Sequence, residues 1–333
     1  DVYVGGWERD RVAGKGVMYY NSSGNIYDGL WYYGKRHGLG LLKLHDGGRY
    51  KGNFHEGHIE GKGTFKYGNG DVYTGWFSHG HKQGKGHFTW ANGNEYKGEF
   101  FEDRLGGYGE LKYAGGHRYL GCWQDGKKHG AGSMWFNDGN LYEGDWKEDK
   151  RHGRGKYTWN IMDTSSAEFY DGEWDKDSRS GHGLYKYKNG STYEGQWVDG
   201  CRHGHGIFQY VDGSHYDGQF VHEYRHGTGI FRKKDGTVYD GEWEKGMMHG
   251  VGSLTKPNGD KYEGEFEAGY KNGDGMVTYH DGNSFVGTWE KGRRCGGGTF
   301  MLKARAKGKR TDAEDLLDDL VLPDVLNMKV FGY

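Results

Sequence analysis

Proline is nearly absent from this chain of 333 residues, at two, and cysteine is scarce, at three. With so little proline, the glycine content cannot be put down to a Pro/Gly-rich linker and has to be judged by its period. Cys122, Cys201 and Cys295 are odd in number and far apart, so no disulfide framework is implied and a reducing compartment is expected. Leucine, isoleucine and valine are few, only 33% of residues are hydrophobic, and mean hydropathy is −1.01. No apolar run approaches the ~20 residues that span a bilayer as a helix. Net charge is −2, so no global field favours nucleic acid. No signal peptide is visible. The chain opens on Asp1 rather than Met and enters directly at a repeat, which predicts that residues precede it in the full protein.

What the chain does have is glycine, at 66, and aromatic residues, led by 27 tyrosines and 12 tryptophans. They are in register. An aromatic residue opens each of thirteen repeats, a glycine follows two later, and a Trp or Phe comes two after that. The openers are Tyr3, Tyr27, Tyr50, Tyr73, Tyr96, Tyr119, Tyr142, Tyr170, Tyr193, Tyr216, Tyr239, Tyr262 and Phe285. The steps are 24, then 23 five times, then 28, then 23 five times. A period in this range marks a stacked-repeat architecture, in which each copy touches only its neighbours. Long repeat surfaces bind or scaffold more often than they catalyse. With so few aliphatics, the rings must supply most of the apolar burial, at about 25 cal/mol per Å².

One repeat shows the chemistry. Tyr193, Gly195 and Trp197 alternate with polar residues, the period of a strand with one buried face, and Phe208 and Tyr210 resume that alternation. Asp199-Gly200 and Arg202-His203-Gly204 lie between them as a polar, glycine-rich turn, which makes a β-hairpin. Asp212-Gly213 is a second turn leading to Tyr216. Glycine recurs two, eleven and thirteen residues after every opener, and these three columns of thirteen account for 39 of the 66 glycines. The first column is expected to make room for a ring from the adjacent strand. The pair at eleven and thirteen is expected at the bent start of the second strand, with positive φ. A phosphate-binding loop would need a helix N-terminus behind it, and nothing helical follows. Acids beside strand one (Glu143, Glu194, Asp240) and bases on strand two (Lys112, Lys156, Arg232) suggest cross-strand pairs of roughly 0.2–1 kcal/mol each.

The spacing resembles the MORN repeat (membrane occupation and recognition nexus). Tyr142-Glu-Gly144-Asp-Trp146, Arg151-His152-Gly153-Arg-Gly155 and Tyr157-Thr-Trp159 carry the resemblance, as do the repeats opened by Tyr193 and Tyr239. It implies an all-β, elongated, single-layer antiparallel sheet of hairpins over residues 1–302, with an insertion near 160–169 and no catalytic residues in the repeat itself. Twenty-six strands at ~4.8 Å would make a stack of up to about 120 Å. The His position is Ala13, Glu60, Gln83, Gly106, Ser180, Asn272 or Cys295 in other repeats, and Phe285 replaces the opening Tyr.

Residues 303–333 break the pattern. Lys303, Arg305, Lys307, Lys309 and Arg310 form a basic run, and Thr311 with Glu314 makes a capping box. Ala313, Leu316, Leu317 and Leu320 share a helical face before Pro323, predicting a short amphipathic helix over 312–322. It would cap the last hairpins or offer Leu316, Leu317 and Leu320 to a partner.

Two columns invite sharper readings. The histidines His37, His129, His152, His203, His226 and His249 suggest zinc, but equivalent positions two strands apart, ~9.6 Å, cannot share a metal with nitrogen ligands at ~2.0–2.1 Å. No metal or cofactor is expected. A basic ladder in the turns, with Lys127, Lys128, Lys150, Arg151, Arg202 and Arg225 as its core, could meet anionic lipid or acidic tubulin tails. Trp123, Trp146, Trp174, Trp197 and Trp243 are taken as the most exposed ends of the aromatic stripe and as candidate partner contacts, with core packing as the plainer alternative. The expectation is a non-enzymatic scaffold or spacer, cytoplasmic, in the cytoskeleton of a cilium or flagellum axoneme, binding cytoskeletal proteins and not nucleic acid, with a homodimer left open. Two alternatives stand beside it: a peripheral membrane protein that binds phosphoinositides through the basic edge, and the regulatory rod of a lipid kinase or methyltransferase.

Overall fold

A computed structural model describes residues 1–163, 167–303 and 328–329. The described repeats are all β, each built from two antiparallel strands, and no helix occurs among the described residues. The helix expected over 312–322, with Leu316, Leu317 and Leu320, lies outside them. Two compact units divide the chain, one of residues 1–178 and one beginning at Arg179. In each unit, strands adjacent in sequence are neighbours in a continuous antiparallel ladder.

The repeat opened by Tyr193 shows why these residues form a hairpin. Its strands are Thr192–Val198 and Cys201–Gln209, joined by the two-residue turn Asp199-Gly200. Both turn residues have positive φ, 49° and 81°, the conformation that matches the twist of the flanking strands. The turn is therefore shorter than the sequence suggested, and Arg202, His203 and Gly204 belong to strand two. In five repeats the second turn residue is an acid instead of glycine (Asp10, Asp103, Asp149, Asp177, Glu223), still at positive φ. The connection to the next repeat is a wider turn closed at Tyr210 and Ser214, with Gly213 at φ 92° and Asp212 accepting from the Ser214 amide at 2.8 Å.

Register explains the glycines. Gly195 pairs directly with Gly206, and the ladder then slips between Gly195 and Trp197, leaving extra residues of strand two bulged around Gly204. Gly204 has φ 58°, as the sequence led one to expect of its column. Gly206 does not have positive φ; it is glycine because the Tyr193 ring lies across it and Gly195 together. For Gly195 the covering ring thus comes from its own strand, not from an adjacent one, and for Gly206 it comes from the paired strand of the same hairpin. On the other side, Gly206 pairs with Gly218 of the next repeat, so the register is restored before the bulge recurs.

Candidate partner-binding site

The inner face is an aromatic ladder. Within each unit, an opening tyrosine sits edge-to-face on the aromatic four residues later and on its equivalent in the following repeat: Tyr193 with Trp197 at 5.2 Å and Phe220 at 5.1 Å, Tyr216 with Phe220 at 5.2 Å and Trp243 at 5.3 Å. This is the geometry the ring quadrupole prefers, and each such pair adds about 0.5–1.5 kcal/mol beyond area burial. Tyrosines from Tyr27 to Tyr216 at these positions are completely buried. Each hydroxyl donates to the backbone carbonyl three residues on, as Tyr193 does to Gln196 at 3.0 Å. Burial pushes these phenols up, to about 12 at Tyr27, Tyr50 and Tyr262.

The five candidate tryptophans are part of this ladder and not exposed ends of it. Trp123, Trp146, Trp174, Trp197 and Trp243 are only 2–6% exposed. Each indole N–H donates to the carbonyl of a glycine in the preceding repeat: Trp123 to Gly109 at 3.3 Å, Trp146 to Gly132 at 3.1 Å, Trp174 to Gly155 at 2.9 Å, Trp197 to Gly183 at 3.1 Å and Trp243 to Gly229 at 2.9 Å. Their polar handle is thus already satisfied, and the surface they leave to a partner is small.

The basic ladder divides into two columns, because successive side chains of a strand point to opposite faces. The inner column holds Lys128, Arg151, Arg202 and Arg225. Lys128 lies 4.4 Å over Trp146, Arg151 4.4 Å over Trp174, Arg202 5.4 Å over Phe220, and Arg225 4.1 Å over Trp243. These cations clip one repeat to the next, and burial lowers the pKa of Lys128 and Arg225. The acid of the following turn completes the clip where there is one: Arg151 meets Asp177 at 3.1 Å and Arg202 meets Glu223 at 2.6 Å. Where the turn has glycine, Arg225 donates to the Gly246 carbonyl at 3.0 Å. Lys127 and Lys150 form the outer column and stay exposed, Lys127 with Glu148 at 4.0 Å.

A further column escaped the sequence reading. The residue two before most openers carries a side-chain acceptor for an amide 20 residues on: Asp71 for Ala91 at 2.8 Å, Asn94 for Ala114 at 2.9 Å, Ser214 for Lys234 at 3.1 Å, Asp260 for His280 at 2.9 Å. Asp, Asn or Ser at this fixed offset was the signal. Among the described residues no group of three or more His, Cys, Asp and Glu could hold a metal ion. The three cysteines are free and half-buried.

The MORN repeat family model matches thirteen segments, beginning with residues 3–24 and 27–49 and ending with residues 285–302. The chain belongs to the MORN repeat family. The matched segments follow the aromatic ladder, with their widest break at the insertion between residues 161 and 170. No curated protein matches the MORN array as a whole sequence. Among solved structures, the array is similar to the TCP domain of SAS-4 (dCPAP) from Drosophila melanogaster, solved with a proline-rich motif of Ana2 (dSTIL). That likeness has 16% identity and a TM-score of 0.31, and covers 55% of this chain and 90% of that one. It is also similar to the wild-type TCP10 domain of CPAP from Danio rerio, at 13% identity and a TM-score of 0.26, covering 68% and 93%. At such TM-scores neither likeness carries an argument about this chain.

Proposed function

We propose that this MORN array is a non-catalytic scaffold that docks other proteins, in a cytoskeletal assembly of the kind found in a cilium or flagellum axoneme. One observation carries the reading. The side chains common to the repeats are occupied on the inner face, whereas the outer face differs from repeat to repeat and exposes large apolar groups, such as Leu39 (65%), Tyr108 (54%) and Val251 (62%). Variation on a repetitive frame is how a repeat surface encodes a partner. The test is capture of the full-length protein from its native cell with crosslinking mass spectrometry, alongside flotation with anionic liposomes. Crosslinks from cytoskeletal proteins to outer-face lysines such as Lys51, Lys62 and Lys85, without flotation, support the scaffold. Flotation that disappears when Lys127 and Lys150 are reversed in charge would replace it with membrane binding.

A further inference from the structure

The outer face of the first unit carries a trough of roughly 1090 Å³ across the repeats opened by Tyr27, Tyr50 and Tyr73. Its floor is bare backbone, because the paired glycines there have rings on the other side. Its walls are cross-strand pairs that each join a lysine to an apolar residue: Lys15 opposite Leu30, Lys51 opposite Leu41 and Lys62 opposite Trp76. The Lys62 ammonium lies 5.3 Å from the Trp76 ring, and Leu30 and Trp76 remain 44% and 48% exposed. Asp28 is the sole acid in this lining. The equivalent face of the second unit has the opposite sign, with Glu194, Asp217, Asp240, Glu242, Glu263 and Glu265 on its first strands.

An occupant for such a trough needs acids and apolar side chains in close alternation, and no bases. Residues 311–322 of this chain, Thr-Asp-Ala-Glu-Asp-Leu-Leu-Asp-Asp-Leu-Val-Leu, have that composition: five acids, no lysine or arginine, and four leucines. We propose that the trough binds residues 311–322 of a second copy of this chain. Opposite charge makes the trough attractive to that segment and the second unit's outer face repulsive. The segment is anchored on the second unit: Met328 and Lys329 pair with Phe300 and Thr299 of the last repeat strand, and the stretch follows that same strand after Met301. Its own unit offers it an acidic outer face, whereas the trough of a second copy offers lysines. Mutual exchange between two copies closes as a symmetric dimer.

The test uses the full chain. A concentration series by light scattering measures its mass, and carbodiimide crosslinking of mixed isotope-labelled and unlabelled copies identifies contacts. Expected are a dimer and labelled-to-unlabelled crosslinks joining Asp318 or Asp319 to Lys51 or Lys62. K51E/K62E should weaken self-association at least tenfold, and adding D318K/D319K to the same chain should restore it, which separates lost docking from misfolding. L316S/L317S/L320S should abolish the dimer with the thermal melt unchanged. The proposal is overturned if the chain stays monomeric throughout the series. Crosslinks confined to single copies, crosslinks to another face, or a dimer indifferent to the leucine substitutions would overturn it equally.

Discussion

Replacing Gly206 by alanine isolates the contact on which the repeat depends. The backbone at Gly206 does not have positive φ, so alanine meets no conformational penalty there. The obstacle is the Tyr193 ring, since a Cβ would stand 2.5 Å from its hydroxyl oxygen and 2.6 Å from two ring carbons. That ring is fully buried, hydrogen-bonded to Gln196 and held edge-on by Trp197 and Phe220, so it cannot yield without disturbing three partners. Overpacking of this kind costs about 1–3 kcal/mol, and a lost buried hydrogen bond about 1 more. Restricting the unfolded chain returns about 0.4–1 kcal/mol, so the net loss should be about 1–3.5 kcal/mol, centred near 2. Repeat arrays need not unfold in one step, so the assay is hydrogen exchange of the amides in Thr192–Val198 and Cys201–Gln209. In a Tyr193→Ala background the same substitution should cost almost nothing, giving a coupling of about 1–3.5 kcal/mol. A Gly206→Ala variant within about 0.5 kcal/mol of the parent, or an equal loss in both backgrounds, would refute the reasoning.

Three further outcomes are expected. Arg151→Ala removes the stack on Trp174 and the pair with Asp177, and should destabilise the first unit by about 1–3 kcal/mol in denaturant titrations; a neutral result would mean the cation column does not clip the repeats. Burial raises the tyrosine phenols from 10 to about 12 at Tyr27, Tyr50 and Tyr262, so the stability they contribute is complete below pH 10 and lost as pH climbs towards 12. Tyrosinate absorbance and circular dichroism should therefore change together in that window, and ionisation near pH 10 in a still-folded sheet would contradict the burial. Lys271 is lowered from 10.5 to about 8, chiefly by burial and then by Lys256 and Arg294. Between those values the unfolded chain binds more protons, so the penalty fades as pH rises through the window. Lys271→Met should raise the melting temperature near neutral pH but not near pH 10, and an equal gain at both would count against a buried ammonium.

Much of the fold could be read directly from residue order, and the reason is physical. Tyr193, Gly195 and Trp197 alternate because one face of a strand is buried, and Asp212-Gly213 turns because glycine reaches positive φ. The site was less legible because the same residue types serve opposite faces. Lys127 and Lys128 are adjacent in sequence, yet one is exposed while the other lies over Trp146. Counting back in twos from Gly206 does place Arg202 inward, so the signal existed, but only once Gly206 was known to lie beneath a ring. Of the two readings of the tryptophans, core packing is the one their burial matches. Composition cannot say whether an aromatic stripe is covered, and here each indole meets the preceding repeat's backbone, with a cation over Trp146, Trp174, Trp197 and Trp243 as well.

This division of labour limits where specificity can reside. An inner face that repeats Tyr, Gly, Trp or Phe and a cation presents nearly the same surface in every copy, so it cannot tell one partner from another. The outer positions vary instead: the residue three after the opener is Leu30, Trp76, Asp145 or Gln196. There the chain changes from lysine and leucine in its early repeats to aspartate and glutamate in its late ones. A partner that reads this array must therefore read charge along the outer face. Substitutions there should alter binding while leaving the hairpins intact, the reverse of what the glycine and tyrosine columns predict.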